Sequence, residues 1–173
     1  NINGTAQMEN VKQVATGIYH TVVLTNDGNM YATGYNNVYQ LADGSSSTKT
    51  KLQPMKSSDR SNMKNIKSIY AEGYNTFAIT NENELYSVGY NNYGQLVQKN
   101  NSNLSVLTKT KTEQKTTAMA ITRNPEYQTT AYIDEIGRVY TVGYTSIHFL
   151  KSFRITNPFI KFSHFHIVNY TPT

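Results

Sequence analysis

The feature of this sequence that most constrains its fold is a hexapeptide that occurs three times. It reads MYATGY at residues 30–35, LYSVGY at 85–90 and VYTVGY at 139–144, at offsets of 55 and 54 residues. Self-similarity at a nearly fixed period indicates a fold built by repeating one supersecondary unit. The sequence therefore predicts three diverged copies of a unit of about 55 residues.

A second matching segment lies upstream of each hexapeptide, and together the two predict a β-hairpin. The segments are VVLTNDG at 22–28, FAITNEN at 77–83 and AYIDEIG at 131–137, each an apolar run followed by a polar turn. The turn position that requires positive φ is occupied by Gly28, Asn83 and Gly137. Asparagine tolerates this conformation better than other non-glycine residues, so all three copies keep the same backbone requirement. An apolar run, a turn and a strand-forming run are typical of a hairpin.

Further matches set the expected boundaries of the repeats. An additional strand candidate precedes the hairpin at 11–17 and 66–73, and a weaker one at 117–121. We expect a lead-in at 1–10, repeat 1 at 11–65, repeat 2 at 66–116 and a degenerate repeat 3 at 117–145. Residues 146–173 match no repeat and are rich in Phe, so we place them outside the repeat pattern.

The order of these segments resembles the repeat of the regulator of chromosome condensation family. The resemblance rests on Ala15-Thr16-Gly17, His20-Thr21, Leu24-Thr25-Asn26-Asp27-Gly28, Met30-Tyr31, Gly34 and Asn91-Asn92-Tyr93-Gly94-Gln95-Leu96. It implies a β-propeller whose blades are four-stranded antiparallel sheets around a central channel. Departures from the family pattern include Tyr39 at a usual Gly position and Asn75 at a usual His position.

The fold class that we expect is therefore all-β, with about three antiparallel propeller blades. A propeller usually has four to eight blades. Since about three blades fit into 173 residues, we expect an incomplete ring or part of a larger propeller, completed by further blades or by neighbouring chains.

Motifs for catalysis are absent from the sequence. The chain has no Cys, no Gly-rich phosphate loop and no nucleophile elbow. We expect no enzymatic activity, no catalytic residues, no cofactor and no metal; the alternative is a metal on His164 and His166, which share one face of a predicted strand. No targeting segment and no apolar run long enough for a membrane span are visible, and the localisation is left open.

The tyrosine at the end of the repeated hexapeptide and the asparagines that follow it are the best candidates for binding. Tyrosine offers a large contact area at a low entropic cost and is common on recognition surfaces. Repetition in every copy argues for a structural role first, because the same core position must be filled in each blade, and a binding role is the alternative. The candidate binding residues are Tyr35, Asn36, Asn37, Tyr90, Asn91 and Asn92.

Positive charge is concentrated in the two long connections between repeats. Residues 49–67 carry six cations and one anion, and residues 99–115 carry four cations and one anion, whereas the whole chain has a net charge of +5. A solvated surface explains such runs, and electrostatic binding is the alternative. The candidate electrostatic residues are Lys49, Lys51, Lys109 and Lys111.

Three functions remain open at this point. The first is a non-catalytic interaction module that binds a protein partner through blade-rim and loop residues, for which composition and repeat drift suggest a bacterial or phage surface or structural component. The second, implied by the resemblance, is an exchange factor-like regulator of a small GTPase. The third is a basic nucleic-acid or chromatin binder. The fold alone does not distinguish among these three functions.

Overall fold

A computed structural model describes residues 8–124, 127–144 and 165–167 of the chain. These residues form three four-stranded sheets, which we call blades 1, 2 and 3. Blade 1 contains β1 (Val11–Thr16), β2 (His20–Thr25), β3 (Met30–Gly34) and β4 (Lys49–Pro54); blade 2 contains β5 (Ile66–Glu72), β6 (Asn75–Thr80), β7 (Leu85–Gly89) and β8 (Leu104–Lys109); blade 3 contains β9 (Thr116–Ile121), β10 (Thr129–Asp134), β11 (Val139–Gly143) and β12 (Phe165–Ile167). The all-β fold predicted from the repeats is confirmed.

The repeated hairpin is the centre of every blade. β2 pairs antiparallel with β3, β6 with β7, and β10 with β11. The turns between them place Gly28, Asn83 and Gly137 at φ values of 79°, 62° and 84°. These values lie in the left-handed region that the turn position requires.

The two basic connections contain the fourth strands of blades 1 and 2. β4 pairs antiparallel with β3, and β8 pairs antiparallel with β7. Both pairings are interrupted by a register shift, after Ala32 and after Ser87 respectively. Three lysines of these connections therefore lie on outer strands of blades, Lys49 and Lys51 on β4 and Lys109 on β8.

Blade 3 departs from the expected antiparallel pattern. β9, β10 and β11 are antiparallel, but β12 pairs in parallel with β11, with Val139 opposite Phe165 and Thr141 opposite Ile167. A parallel pairing needs a long connection, and more than twenty residues separate these two strands in the sequence. The segment that carries β12 is the Phe-rich one that matched no repeat.

Apolar side chains fill the spaces between successive blades. One cluster includes Val22, Leu24, Ile69 and Ala78, and it joins blade 1 to blade 2. The other includes Phe77, Ile79, Met119, Tyr132 and Val142, and it joins blade 2 to blade 3. Burial of this kind is the dominant favourable term in folding, so each blade is stabilised by its neighbour.

Buried hydroxyl groups repeat the same contact at both junctions. The hydroxyl of Thr76 in blade 2 donates to the backbone carbonyl of Gln40 in blade 1 at 2.9 Å, and the hydroxyl of Thr130 in blade 3 donates to the carbonyl of Gln95 at 2.8 Å. Both threonines are fully buried.

Within the described ranges, no helix is long and apolar enough to cross a lipid bilayer.

Candidate interaction surface

Tyrosines gather at one end of the three blades. This end is formed by the loop between the first and second strands of a blade and by the residues that follow the third strand, because antiparallel strands bring these segments together. We call this surface the tyrosine rim; it consists of Tyr19, Tyr35, Tyr74, Tyr90, Tyr93, Tyr127 and Tyr144. The opposite end of the blades carries the hairpin turns.

The first part of the rim covers the junction of blades 1 and 2. The ring centroids of Tyr19 and Tyr35 lie 5.9 Å apart in an edge-to-face arrangement, and Tyr74 lies 6.3 Å from Tyr19 and 6.2 Å from Tyr35. Aromatic rings prefer such tilted contacts at 4.5–7 Å. The three rings therefore support one another, while Tyr19 remains 62% exposed.

The second part of the rim covers the junction of blades 2 and 3. The ring of Tyr93 packs edge-to-face on Tyr90 at 6.3 Å and on Tyr144 at 5.5 Å. Tyr127 contacts Tyr144 at 4.7 Å. The two parts are adjacent, since the backbone N–H of Tyr90 donates to the carbonyl of Tyr74 at 3.4 Å.

The predicted binding residues Tyr35 and Tyr90 lie within this rim, and both are half-buried. Their neighbours Asn37 and Asn92 are exposed at the same end of the blades. These four side chains are accessible to a partner.

The prediction that Asn36 contacts a partner does not fit the structure, because this side chain is fully buried. Its Oδ1 atom accepts the backbone N–H of Leu41 at 2.9 Å, and its amide group donates to the carbonyl of Ser45 at 2.8 Å and to Asp43 at 3.1 Å. A buried amide with all these partners holds the loop after β3 in shape. The role of Asn36 is structural.

Asn91 has the same structural role in blade 2, and its prediction as a contact residue is corrected for the same reason. It is fully buried. Its Oδ1 atom accepts the N–H of Leu96 at 2.8 Å, and its amide group donates to the carbonyls of Asn100 and Ser102 at 2.8 and 3.0 Å. The repeated Asn-Asn pair thus combines one structural and one accessible residue.

Two of the four candidate electrostatic lysines are already paired with carboxylates. Lys49 lies 3.1 Å from Asp43, and Lys109 forms an ion pair with Glu84. Hydrogen bonds from Ser45, Lys49 and Asn36 lower the pKa of Asp43 in spite of its partial burial, which acts in the opposite direction as the largest single effect. Lys51 is exposed on β4, and Lys111 follows β8. The structure therefore does not assemble the four lysines into one cluster of free charge.

Metal ligation receives no geometric support from the part of the chain that is described. No group of three or more His, Asp or Glu side chains that could hold an ion occurs there. His164 lies outside the described residues, and His166 is described only through its backbone in β12.

Several rim residues were not predicted from the sequence. Tyr19 and Tyr74 are separated by 55 residues, the repeat period, and this spacing could have identified them. Tyr93 and Tyr127 have no equivalent at that spacing, and their place in the rim depends on how the blades pack. The sequence therefore identifies part of the rim, whereas its continuity is a property of the fold.

Comparison with known proteins places these repeats in a family. A model of the regulator of chromosome condensation (RCC1) repeat matches residues 11–40 and 66–95. The human X-linked retinitis pigmentosa GTPase regulator is 37% identical over 98 residues, which are 57% of this chain and 9% of that protein. The dog protein of the same name is 34% identical over 98 residues, or 57% of this chain and 10% of that protein. The chain spans about a tenth of the length of these relatives.

Solved structures share the blade architecture. Human WBSCR16 superposes with a TM-score of 0.68 at 21% identity, over 80% of this chain and 34% of that chain. Yeast RCC1 (Prp20), solved in a complex with Kap60, superposes with a TM-score of 0.64 at 21% identity, over 80% of this chain and 31% of that chain. Prp20p of Saccharomyces cerevisiae, also studied for its binding to Gsp1p and histones, superposes with a TM-score of 0.62 at 20% identity, over 78% of this chain and 33% of that chain. These likenesses show the propeller fold.

Proposed function

The chain carries repeats of the regulator of chromosome condensation family, and from that premise we propose that it is a non-catalytic propeller module that binds a protein partner through the tyrosine rim. The observation that carries this proposal is the continuity of the rim across both blade junctions. Rigid aromatic side chains bury a large area on binding and lose little entropy, because they have few rotatable bonds. Aromatic residues are also enriched among the positions that dominate binding energies.

The charge distribution of the rim supports a protein partner over a polyanion. Among the described residues at this end of the blades, Asp43 is paired with Lys49, and Arg123 lies 3.7 Å from Glu72. The exposed side chains at this end include tyrosines, Asn37, Asn92, the apolar Ile18 and one cation, Lys99. Aromatic and amide groups match the mixed apolar and polar surface of a protein, where hydrogen bonds accompany apolar contact.

Regulation of a small GTPase is the second function that we propose to test. Its support is the name of the human relative, a GTPase regulator, which aligns over 98 residues with this chain. Such a partner would be one case of the protein binding proposed for the rim. Candidate GTPases therefore belong among the first proteins to be assayed.

The test uses a partner that is captured from a lysate, identified and purified, so that its affinity for the chain can be measured by calorimetry. The double variant Tyr19→Ser and Tyr127→Ser removes two of the more exposed rings. We expect affinity to fall by about 30-fold or more, since aromatic anchors typically contribute about 2 kcal/mol when they are removed.

The matched control is Ile136→Ser, which removes a still more exposed apolar side chain, 75% exposed, at the opposite end of the blades. We expect its affinity to stay within about twofold of the wild type, because surface substitutions away from an interface have small effects. Far-UV circular dichroism and thermal unfolding check that both variants fold. Equal affinity of the wild type and the folded tyrosine variant would refute the proposal.

A further inference from the structure

The tyrosine rim repeats with the blades. Tyr35, Tyr90 and Tyr144 occupy the same position after the third strand of each blade, at offsets of 55 and 54 residues. Asn37 and Asn92 are equivalent in the same way, and both side chains are exposed. Repeat proteins use such rows of equivalent groups as extended binding surfaces. A row of this kind matches a ligand that is itself built from a short repeating unit.

The polar groups of the rim are free to bind a ligand. Among the described residues, the hydroxyls of the rim tyrosines have no hydrogen-bond partner, and neither do the side chains of Asn37 and Asn92. Each phenol can donate one hydrogen and each amide group can donate two. The rim therefore places hydrogen-bond donors beside apolar ring faces, and a fitting ligand combines apolar groups with unpaired carbonyls.

Addition of a peptide strand does not fit the rim. That mode needs a free sheet edge, where main-chain groups are unpaired. The rim lies instead at the ends of strands, and its main chain is already hydrogen-bonded where the third strands end. The N–H of Tyr35 donates to the carbonyl of Tyr19 at 2.8 Å, and the N–H of Tyr144 donates to the carbonyl of Gln128 at 3.1 Å. A partner at the rim is therefore recognised through side chains.

A helix that enters an apolar groove fits poorly as well. The rings of Tyr74 and Tyr93 pack across the two blade junctions, Tyr74 onto blade 1 and Tyr93 onto blade 3. These rings fill the space in which such a groove would lie, and their faces and hydroxyls form the surface.

Recognition of an acidic or phosphorylated motif needs a cluster of cations. At this end of the described chain, Lys49 is paired with Asp43 and Arg123 lies 3.7 Å from Glu72. Lys99 is the exposed cation that remains there without a carboxylate partner. One cation does not form the cluster that this mode requires.

We propose that the tyrosine rim binds a proline-rich segment of the partner in the polyproline II conformation. The assignment rests on the binding function proposed for the rim and names the class of partner. Proline rings are apolar and stack on the tyrosine faces, as in other aromatic-lined sites for such segments. Proline has no backbone N–H, so its main chain offers only carbonyls, which accept hydrogen bonds from the rim hydroxyls and from the amide groups of Asn37 and Asn92.

The geometry of polyproline II suits a repeating surface. The helix returns to the same face about every 9 Å, so successive prolines meet successive equivalent groups of the rim. The segment is extended before it binds and loses little conformational entropy in the complex.

The direct test is binding of fluorescein-labelled dodecaproline to the chain, measured by fluorescence anisotropy. The control is a labelled peptide of equal length in which Gly and Ser alternate, because it is flexible and carries no apolar ring. We expect dodecaproline to bind about tenfold or more tightly than the control. No binding of dodecaproline up to about 1 mM, or equal binding of the two peptides, would overturn the assignment.

Variants of the chain separate the two kinds of contact. Tyr19→Phe with Tyr127→Phe keeps two rings and removes their hydroxyls, so we expect affinity for dodecaproline to fall roughly fivefold. Tyr19→Ser with Tyr127→Ser removes the rings as well and should reduce affinity about 30-fold or more. Ile136→Ser, at the opposite end of the blades, should stay within about twofold of the wild type. Equal affinity of the wild type and the folded phenylalanine variant would show that the hydroxyls do not bind the carbonyls, and would overturn the assignment.

Competition distinguishes failure of this assignment from failure of the proposed binding function. An excess of dodecaproline should displace the purified partner from the chain. A partner that is lost in the serine variant but is not displaced by dodecaproline would leave the function of the rim intact and show that its ligand is not proline-rich. Loss of the partner after enzymatic removal of its glycans would identify a carbohydrate as the ligand and would also overturn the assignment. A partner that binds the folded serine variant as tightly as the wild type would instead contradict the function proposed for the rim.

Discussion

The Nε2 atom of His20 lies 2.9 Å from the hydroxyl oxygen of Thr76, across the junction of blades 1 and 2. Thr76 donates its single hydroxyl hydrogen to the carbonyl of Gln40, so His20 must be the donor in this contact. The Nε2 atom therefore carries a hydrogen, and the buried Nδ1 atom has no partner among the described residues. Burial lowers the pKa of His20 from 6.5 to about 4, because desolvation opposes the charged form.

Acid should weaken the fold through His20. The unfolded chain takes up a proton as pH falls below 6.5, whereas the folded chain resists protonation until about pH 4. Stability from this group is complete above pH 6.5 and is lost as pH falls toward 4, by on the order of 3 kcal/mol. Urea unfolding at a series of pH values measures this loss.

The control for this prediction is His20→Asn, which introduces the residue that occupies the equivalent position, Asn75, in blade 2. Carboxylates contribute to the pH dependence of both proteins, so the difference between the two curves isolates the histidine. Parallel curves between pH 6.5 and 4 would show that His20 does not titrate as its burial implies.

The hairpin turns offer a comparison between two glycines of nearly equal φ. A Cβ atom at Gly28 would lie 3.1 Å from the backbone nitrogen of Ile66, whereas one at Gly137 would meet nothing within 4 Å. Gly137→Ala should therefore cost only the strain of positive φ, about 1 kcal/mol. Gly28→Ala should cost roughly 1 kcal/mol more, because it also crowds the start of blade 2. Denaturant midpoints measure the loss of stability in each variant. Equal losses would show that the backbone at Ile66 moves away from the new Cβ atom without a cost in free energy.

Much of the fold could be predicted from the sequence because the repeated copies have matching residue types at the positions where the backbone needs a turn or the core needs an apolar side chain. The positions of Gly28 and Asn83 follow from the turn that each copy needs, and the apolar runs before them follow from the core that each blade must fill. A strand was predicted around His164 and His166, where β12 lies, but its place in blade 3 was not predictable from the repeat. It has no equivalent in the other copies, and its parallel pairing depends on a long connection rather than on a local pattern.

The candidate surface was predicted only in part, for a physical reason that Asn91 and Asn92 illustrate. Adjacent residues in a loop can point in opposite directions, and nothing in the sequence Asn-Asn distinguishes the buried side chain from the exposed one. The same limit applies to Tyr127, which contacts Tyr144 within blade 3 and is connected to blade 2 only through the contact of Tyr144 with Tyr93.

These two asparagines provide a third prediction. Asn91→Ala removes three short hydrogen bonds and leaves buried partners unsatisfied, so it should destabilise the chain by about 3 kcal/mol. Asn92→Ala changes an exposed side chain and should cost less than about 0.5 kcal/mol. Thermal unfolding of the two variants tests this difference. Similar losses would mean that the loop does not depend on the Asn91 side chain.

The last prediction concerns the basic outer strands of blades 1 and 2. Because Lys49 and Lys109 are paired with carboxylates, only two of the four candidate lysines, Lys51 and Lys111, remain to displace counterions from a nucleic acid. Binding to a short labelled DNA duplex should therefore be weak, with a log–log dependence on salt whose slope has a magnitude below about 2. The variant Lys51→Ser with Lys111→Ser should change this affinity less than about threefold, because each lost phosphate contact contributes only a small part of binding at moderate salt.

Fluorescence anisotropy between low and moderate salt measures both the affinity and its salt dependence, with the Tyr19→Ser and Tyr127→Ser variant as the control. A slope steeper than about −4 that is lost in the lysine variant and kept in the tyrosine variant would identify a nucleic-acid binder instead.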